Sequence, residues 1–428
     1  MLDSTTTTSP LWRPWSSATQ AADPLQIVEG RGTRVRDGEG NWYLDGISGV
    51  LNTSCGHAHP RLVEAATRQL SQLSHYDLMV ASHPPAETLA ARLAALLPGE
   101  LNEMVLLNSG SEAIEAALRI ALTYWRNIGE NRDRVITFAN GYHGSTSLAQ
   151  QLSGLPFMVS DWETPFPIEP IPFPVPPGEL RTPEACDALV ARFAEALDNG
   201  TPAAAVLVEP LLSVAGMIVL PTGFLSRLRE LCDRHGTLLV VDEVFCGFGR
   251  TGRMFGFEHE QVVPDIVTMS KALSGGCVPM AVTAATSTLR ESFKHEPVTQ
   301  GFRYGHTTGG HAVASAVANA VLDVITDEDL VANAATQGAA LLEGLSRFRT
   351  HPGVVDVRGL GLATAIETDA LETSGAIVRA ARRHGLMIKQ QRDIVLVVPP
   401  LTITSDETAE LVKMIDAAFD DVAQTAVR

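Results

Sequence analysis

The chain has only four lysines, Lys271, Lys294, Lys389 and Lys413, and one of them closes an apolar run: Ile266-Val267-Thr268-Met269 leads into Ser270-Lys271-Ala272-Leu273-Ser274-Gly275-Gly276. A lysine at the carboxyl end of a buried strand loses hydration, which lowers its pKa and frees the amine to attack an aldehyde and form a Schiff base. The glycines that follow let the backbone pass close to a ligand. A lysine taken alone is most often a solvated surface residue, so the inference depends on its company. Upstream, Thr237-Leu238-Leu239-Val240-Val241 has the pattern of a second buried parallel strand and ends in Asp242-Glu243-Val244. Ligands of open α/β sheets collect outside the carboxyl ends of strands, so adjacent strands can present Asp242 and Lys271 to one molecule. A carboxylate beside a pyridine nitrogen keeps that nitrogen protonated and makes the ring an electron sink, while the lysine holds the aldehyde. The cofactor implied is pyridoxal 5′-phosphate, with Lys271 and Asp242 as its catalytic pair.

The phosphate of such a cofactor needs a cradle. Met104-Val105-Leu106-Leu107 runs as a strand into Asn108-Ser109-Gly110-Ser111-Glu112 and then an alanine-rich helix. At a helix start, N–H groups lack intrahelical partners and the dipole favours an anion, and Ser109 with Glu112 has the capping-box spacing. Ser-Gly-Ser before a helix also serves as a plain cap; the lysine and the acid shift the balance toward phosphate binding by Ser109, Gly110 and Ser111. A third loop, Asn140-Gly141-Tyr142-His143-Gly144, follows the apolar run Val135-Ile136-Thr137. An aromatic residue flanked by glycines at a strand end can lie flat on a ring, which makes Tyr142 the stacking candidate and His143 its adjuster.

One motif competes with this chemistry. Gly247-Phe248-Gly249-Arg250-Thr251-Gly252 matches the dinucleotide-binding pattern and suggests a nicotinamide-dependent oxidoreductase. Five residues separate the strand from these glycines, however, and Met254-Phe255-Gly256-Phe257 is a poor start to the long helix that a pyrophosphate site needs. His57, His59, His306 and His311 share no ligand spacing with a carboxylate or cysteine, so no metal is expected.

These residues must be held by a sizeable core. With 428 residues, 45% of them apolar and 19% charged, the chain is long enough for two or three domains. Apolar strands alternate with amphipathic helices over residues 87–97, 111–125 and 184–197, the pattern of a parallel sheet with helices on both faces. Residues 157–178 are crowded with prolines and aromatics and are expected to form an extended loop. Beyond Asp327 the pattern changes to a long helix, a strand over 354–367, a second helix through Leu386 and a strand at Ile394-Val395-Leu396-Val397. A net charge of −17 and a pI near 5.1 argue against a nucleic-acid or anionic-membrane partner. The five cysteines are dispersed without Cys-x-x-Cys spacing, which fits a reducing cytoplasm. The amino terminus lacks the basic and apolar regions of a signal peptide, and its first ten residues are expected to be an arm.

Taken together, the sequence resembles the class III, or ω-amino, aminotransferases of fold type I. The matching stretches are Asn108-Ser109-Gly110-Ser111-Glu112, Gly141-Tyr142-His143-Gly144-Ser145-Thr146, Val241-Asp242-Glu243-Val244 with the following glycines, residues 264–276, and Tyr304-Gly305-His306-Thr307-Thr308-Gly309-Gly310-His311. They occur in the family's order and span residues 12–401. The resemblance implies an α/β fold with a large domain, a mostly parallel sheet flanked by helices, and a smaller α+β domain built from both termini. The corresponding boundaries are 1–60 for the arm and part of the small domain, 61–326 for the cofactor domain and 327–428 for the rest of the small domain. It further implies that Gly110 and Ser111 bind the phosphate, Tyr142 and Val244 cover the two ring faces, Asp242 pairs with the ring nitrogen and Lys271 forms the Schiff base. Thr307 is implied to complete the neighbouring subunit's phosphate site in a homodimer. Glu209, in Val206-Leu207-Val208-Glu209-Pro210, matches a strand end that helps position the catalytic region, although a purely structural carboxylate fits equally.

The substrate is less well defined. In much of the family an arginine of the C-terminal domain clamps a substrate carboxylate; here Lys389 occupies that position, with Arg392 three residues on, and lysine offers a point charge without the fork. Trp12 and Trp15 resemble an aromatic segment that lines the substrate mouth in the diaminopelargonic acid transaminase branch. Val50 and Leu51 align with an aromatic pair of those enzymes, and loss of the rings implies a wider pocket for a bulky ketone or aldehyde acceptor. The expected reaction moves an amino group from a donor amine to such an acceptor; a racemase or aminomutase of the same fold would use the same parts.

Overall fold

Apolar, β-branched runs pair into a seven-stranded sheet: β1 (Leu101–Leu107), β2 (Arg134–Phe138), β3 (Ile168–Ile171), β4 (Ala203–Val208), β5 (Leu238–Asp242), β6 (Ile266–Met269) and β7 (Ala281–Thr286). In this computed structural model, which describes residues 10–15, 25–158 and 162–426, the strand order is β1-β7-β6-β5-β4-β2-β3. All strands run parallel except β7, which lies antiparallel between β1 and β6. Every residue of β4, β5 and β6 is buried, as expected when helices cover both faces. The two-residue period of the strands divides their side chains between two cores. Ile136, Val206, Val241 and Val267 pack with Phe193 and Leu228 on one face, whereas Val135, Ala205, Val240 and Ile266 pack with Ile114 and Trp125 on the other.

Two smaller sheets carry the rest. Ile27–Arg31, Arg34–Asp37 and Trp42–Asp45 form an antiparallel set that Leu386–Met387 joins in parallel, so strands from the beginning and the end of the chain share one sheet. The other contains Val354–Leu360, Ala363–Thr368, Ile394–Val397 and Lys389–Gln391, all antiparallel.

Three sequence expectations need correction or restriction. The proline-rich stretch is not all loop: β3 lies within it as the edge strand, with Pro170 opposite Thr137, because an edge position tolerates the missing N–H. The single strand expected over 354–367 is a hairpin, folded at Gly361 with φ +57. The expected amino-terminal arm lies outside the described residues except for Pro10.

The dinucleotide-like glycines lead through turns into a short 3-10 helix, Gly256–Glu260, and not into a long helix. Their work is structural. Arg250, buried, donates from Nη1 to Leu362 O (3.0 Å) and Pro399 O (2.7 Å), stapling this loop to the C-terminal part. Glu243, pushed up to about 8 by burial, accepts the N–H groups of Gly256 and Phe257, both at 2.9 Å.

Candidate active site

The carboxyl ends of β1, β2, β4, β5 and β6 all open at one edge of the sheet, because these strands are parallel. Pairing of β5 with β6 sets Asp242 opposite Thr268, three residues before Lys271. Asp242 is buried and oriented by three groups. Thr268 Oγ1 donates to its Oδ1 at 3.1 Å, Val244 N donates to the same oxygen at 3.0 Å, and His143 Nδ1 lies 2.8 Å from Oδ2. The other ring nitrogen of His143 meets Thr137 Oγ1 at 3.2 Å, and its backbone N–H donates to Ser153 Oγ at 2.9 Å. A proton on Nδ1 would point at the acid, and the threonine hydroxyl would then donate to Nε2.

Lys271 follows Ser270, whose hydroxyl donates to Met280 O (2.8 Å) and pins the end of β6 to the start of β7. Its φ is +43, a conformation that costs a non-glycine residue energy and that persists only where the surroundings impose it. Burial pushes the Lys271 ammonium below its ordinary value; Asp242 and Glu209 oppose this, and Lys389 adds to it by repulsion. Its Nζ lies 6.0 Å from the centre of the Phe245 ring.

Around this amine is a cavity of about 150 Å³, bordered by Ser111, Tyr142, His143, Asp242 and Val244. The helix Gly110–Asn127 begins at it with a complete capping box: Ser109 Oγ accepts Glu112 N at 3.3 Å, and Glu112 Oε2 accepts Ser109 N at 3.2 Å and Asn108 N at 2.8 Å. The cap occupies the Glu112 N–H and leaves those of Gly110 and Ser111 without intrahelical partners. Ser111 Oγ accepts Ser145 N at 3.0 Å. The loops approach so closely that a Cβ on Gly144, at φ +134, would lie 2.4 Å from Ser111 Oγ, and one on Gly110 would lie 2.8 Å from Val244 Cγ1. Free N–H groups, a helix terminus and side-chain-free backbone fit a phosphate, and an acid and a cool lysine amine fit a pyridine aldehyde.

Tyr142 is anchored through its backbone. Its N–H donates to Glu209 Oε1 at 3.0 Å, while Glu209 Oε2 accepts both the N–H and the hydroxyl of Ser213 at 3.1 Å. Burial raises the pKa of Glu209 and of the Tyr142 phenol.

The remaining candidates stand apart from this cavity. Thr307 is exposed on the 305–310 loop, which is tied to the cradle by Thr308 Oγ1 donating to Asn108 Oδ1 at 3.0 Å. Trp12, Trp15 and Val50 are exposed, and Leu51 is buried in a cluster with Phe245, Leu211 and Leu396. Lys389 pairs with Leu396 across two strands, is half-buried, and has its pKa lowered by burial. Arg392 sits at the hairpin tip with φ +55, its guanidinium 5.5 Å from the Phe157 ring centre. None of these seven borders the cavity at Lys271. A larger cleft of about 600 Å³ at the amino ends of β5 and β6, around Arg229 and Asp265, contains no lysine.

Sequence reasoning missed Thr268, Thr137, Ser153 and Ser213. Thr268 was within reach, since aligning the ends of β5 and β6 sets it against Asp242; Ser213, in a turn after Glu209, carries no local signal.

The model of the aminotransferase class-III family matches residues 16–419. The chain is 36% identical to the adenosylmethionine-8-amino-7-oxononanoate aminotransferase of Nitratidesulfovibrio vulgaris, over 97% of this chain and 81% of that one. It is also 36% identical to the acetylornithine aminotransferase of Corynebacterium efficiens, over 94% of each. Among solved structures, an amine transaminase from an uncultivated Pseudomonas species in its pyridoxal-phosphate-bound form superposes with a TM-score of 0.90 at 30% identity, over 97% of this chain and 99% of that one.

Proposed function

The chain belongs to the class III aminotransferases, and we propose that within this family it works as a homodimer that passes an amino group from a donor amine to a bulky keto or aldehyde acceptor. It is a pyridoxal-phosphate-dependent aminotransferase of fold type I. The observation that carries the site assignment is the convergence of Lys271, Asp242, Gly110 and Ser111 on one cavity at the carboxyl edge of the sheet, with Ser109 capping the helix that Gly110 begins.

When bound, pyridoxal phosphate supplies an aldehyde that captures amines and a ring that accepts electron density. Gly110 and Ser111 hold the phosphate by backbone N–H groups, and Tyr142 and Val244 confine the ring. Asp242, backed by His143, keeps a proton on the ring nitrogen. Lys271 would hold the aldehyde carbon of the cofactor through its amine. The neutral amine of Lys271, favoured by its lowered pKa, would move a proton at the substrate α-carbon. Glu209 holds the Tyr142 backbone in place.

Lys389 supports an acceptor or donor with an anionic group. It is half-buried, repels Lys271, and has no carboxylate within 4 Å among the described residues. Val50, with no ring and exposed, supports a wide mouth, for which Trp12 and Trp15 are exposed aromatic candidates and Arg392 a candidate cation. The dimer reading rests on Tyr76, Met79 and Val80, exposed by 51%, 87% and 75%. They adjoin the Thr307 loop, since Leu78 packs on Gly310 and His75 stacks on His311 at 5.1 Å. An apolar surface of this kind beside a shared phosphate contact suits a second copy. The free cysteines and the absence, among described residues, of a helix able to cross a membrane support a cytoplasmic enzyme. The divisions at 60/61 and 326/327 are proposed as domain boundaries.

A single mixture assay tests the reading. Aminated acceptor should appear in step with loss of donor amine; inversion of a chiral amine without any acceptor would overturn transamination in favour of racemisation.

A further inference from the structure

Arg358 is an arginine with 1% of its surface exposed, on the strand Val354–Leu360. A buried guanidinium is costly unless its donors are answered; here Nε and Nη1 are answered, whereas Nη2 has no hydrogen-bond partner among the described residues. Two answers come from its own sheet: Nη1 donates to Asp356 Oδ2 at 3.2 Å and to Glu367. The third comes from far along the chain, where Nε donates to Gly216 O at 2.7 Å. Gly216 has φ +106, and a Cβ there would lie 2.9 Å from Arg358 Nη2 and 2.3 Å from Ile394 Cδ1, so only glycine lets the guanidinium reach this carbonyl.

Gly216 belongs to a turn whose N–H groups at Gly216 and Met217 both donate to Ser213 O, at 3.1 and 3.2 Å. Ser213 spends its own N–H and hydroxyl on Glu209 Oε2, and Glu209 Oε1 holds the Tyr142 N–H. The contacts therefore run without a gap from the small C-terminal sheet to the tyrosine of the cofactor cavity.

We propose that Arg358 is a positioning residue of the cofactor site, fixing the 213–217 turn through Gly216 O and, by way of Ser213 and Glu209, setting the Tyr142 ring. This rests on the assignment of Tyr142 to the cofactor ring made above. A lysine at position 358 keeps the charge that Asp356 and Glu367 require but loses the forked reach to Gly216 O. The cofactor ring reports its own setting through the visible circular dichroism of the bound cofactor, which a merely structural residue does not move.

The experiment compares R358K, S213A and the double variant as holoenzymes, measuring visible circular dichroism, kcat and KM for the amine donor. Each single substitution is expected to change the dichroic band in the same direction and to lower kcat/KM by roughly tenfold, with the double variant losing hardly more than either alone. Losses that multiply to roughly a hundredfold would overturn the proposal. So would a wild-type dichroic band in R358K alongside a lowered Tm, or an unchanged band in S213A, which remains decisive if R358K does not accumulate. A wild-type protein that binds no pyridoxal phosphate would instead overturn the assignment of the cavity.

Discussion

His143 Nδ1 and Asp242 Oδ2 lie 2.8 Å apart, although the two residues are 99 positions apart, His143 following β2 and Asp242 ending β5, strands separated in the sheet by β4. The acid borders the cavity with both oxygens engaged, Oδ2 by His143 and Oδ1 by Thr268 and Val244. Asp242→Asn should keep its visible absorption but lose at least a hundredfold in kcat, about 2.7 kcal/mol of barrier, because an amide holds no proton on a pyridine nitrogen by charge. His143→Ala should cost less, roughly tenfold, by loosening the acid's orientation. Steady-state kinetics on both variants would contradict the electron-sink role if Asp242→Asn stayed within about twofold of the parent, ~0.4 kcal/mol.

Lys271 lends itself to two measurements. Lys271→Ala should abolish turnover and the borohydride-reducible link between cofactor and protein; wild-type values of both would sink its assignment. The second concerns pH. Burial holds the folded-state pKa below the ordinary 10.5, so the unfolded chain takes up a proton over a range in which the folded apoenzyme does not. The stability that comes with a neutral Lys271 is therefore present above the unfolded pKa and lost as pH falls through the folded one. Lys271→Met removes that penalty. Its cofactor-free form should melt above the parent at neutral pH, with the gap closing as pH rises toward 10.5. Melting curves with a gap that does not depend on pH would contradict a buried, cooled amine.

The residues that sequence alone made legible are those at strand ends. Lys271 and Asp242 each close a short apolar run, so both their burial and their common edge follow from periodicity and parallel pairing. His143 stood out as a loop residue, but its partner did not, because strand order decides which loops meet and β4 is inserted between theirs. Ser213 and Arg358 gave no signal: one is an ordinary turn serine, the other an arginine whose burial depends on a carbonyl 142 residues away. Edge strand β3 was hidden by prolines that normally exclude a strand, and the hairpin at Gly361 was hidden because Leu360 and Leu362 flank the glycine without a polar turn residue.

The cradle depends on glycine at one position more than any other. At Gly144 a methyl group would sit 2.4 Å from Ser111 Oγ, and the backbone φ of +134 is unfavourable to any side chain. Gly144→Ala must either displace the loop or tilt the helix start, at a strain of about 1–3 kcal/mol. The expected result is a loss of at least tenfold in pyridoxal phosphate affinity, with the protein still folded. Cofactor titration that returns a dissociation constant within about twofold of the parent would show that the approach of the two loops is not needed.

Thr307 points to the assembly. It is exposed in one chain, its loop is fixed to the phosphate cradle through Thr308 and Asn108, and the apolar residues Tyr76, Met79 and Val80 flank it. If the threonine reaches a neighbour's phosphate, cofactor binds across the interface and stabilises only the assembled form, so added pyridoxal phosphate should raise both Tm and the dimer fraction. Thr307→Val should weaken cofactor retention several-fold while leaving the borohydride-reducible link at Lys271 intact. Met79→Asp should shift the dilute protein toward monomer and lose activity with it, since a charge on an interface core carries a desolvation cost. Sedimentation of the holoenzyme at low concentration decides the matter: a fully active monomer would rule out the shared site.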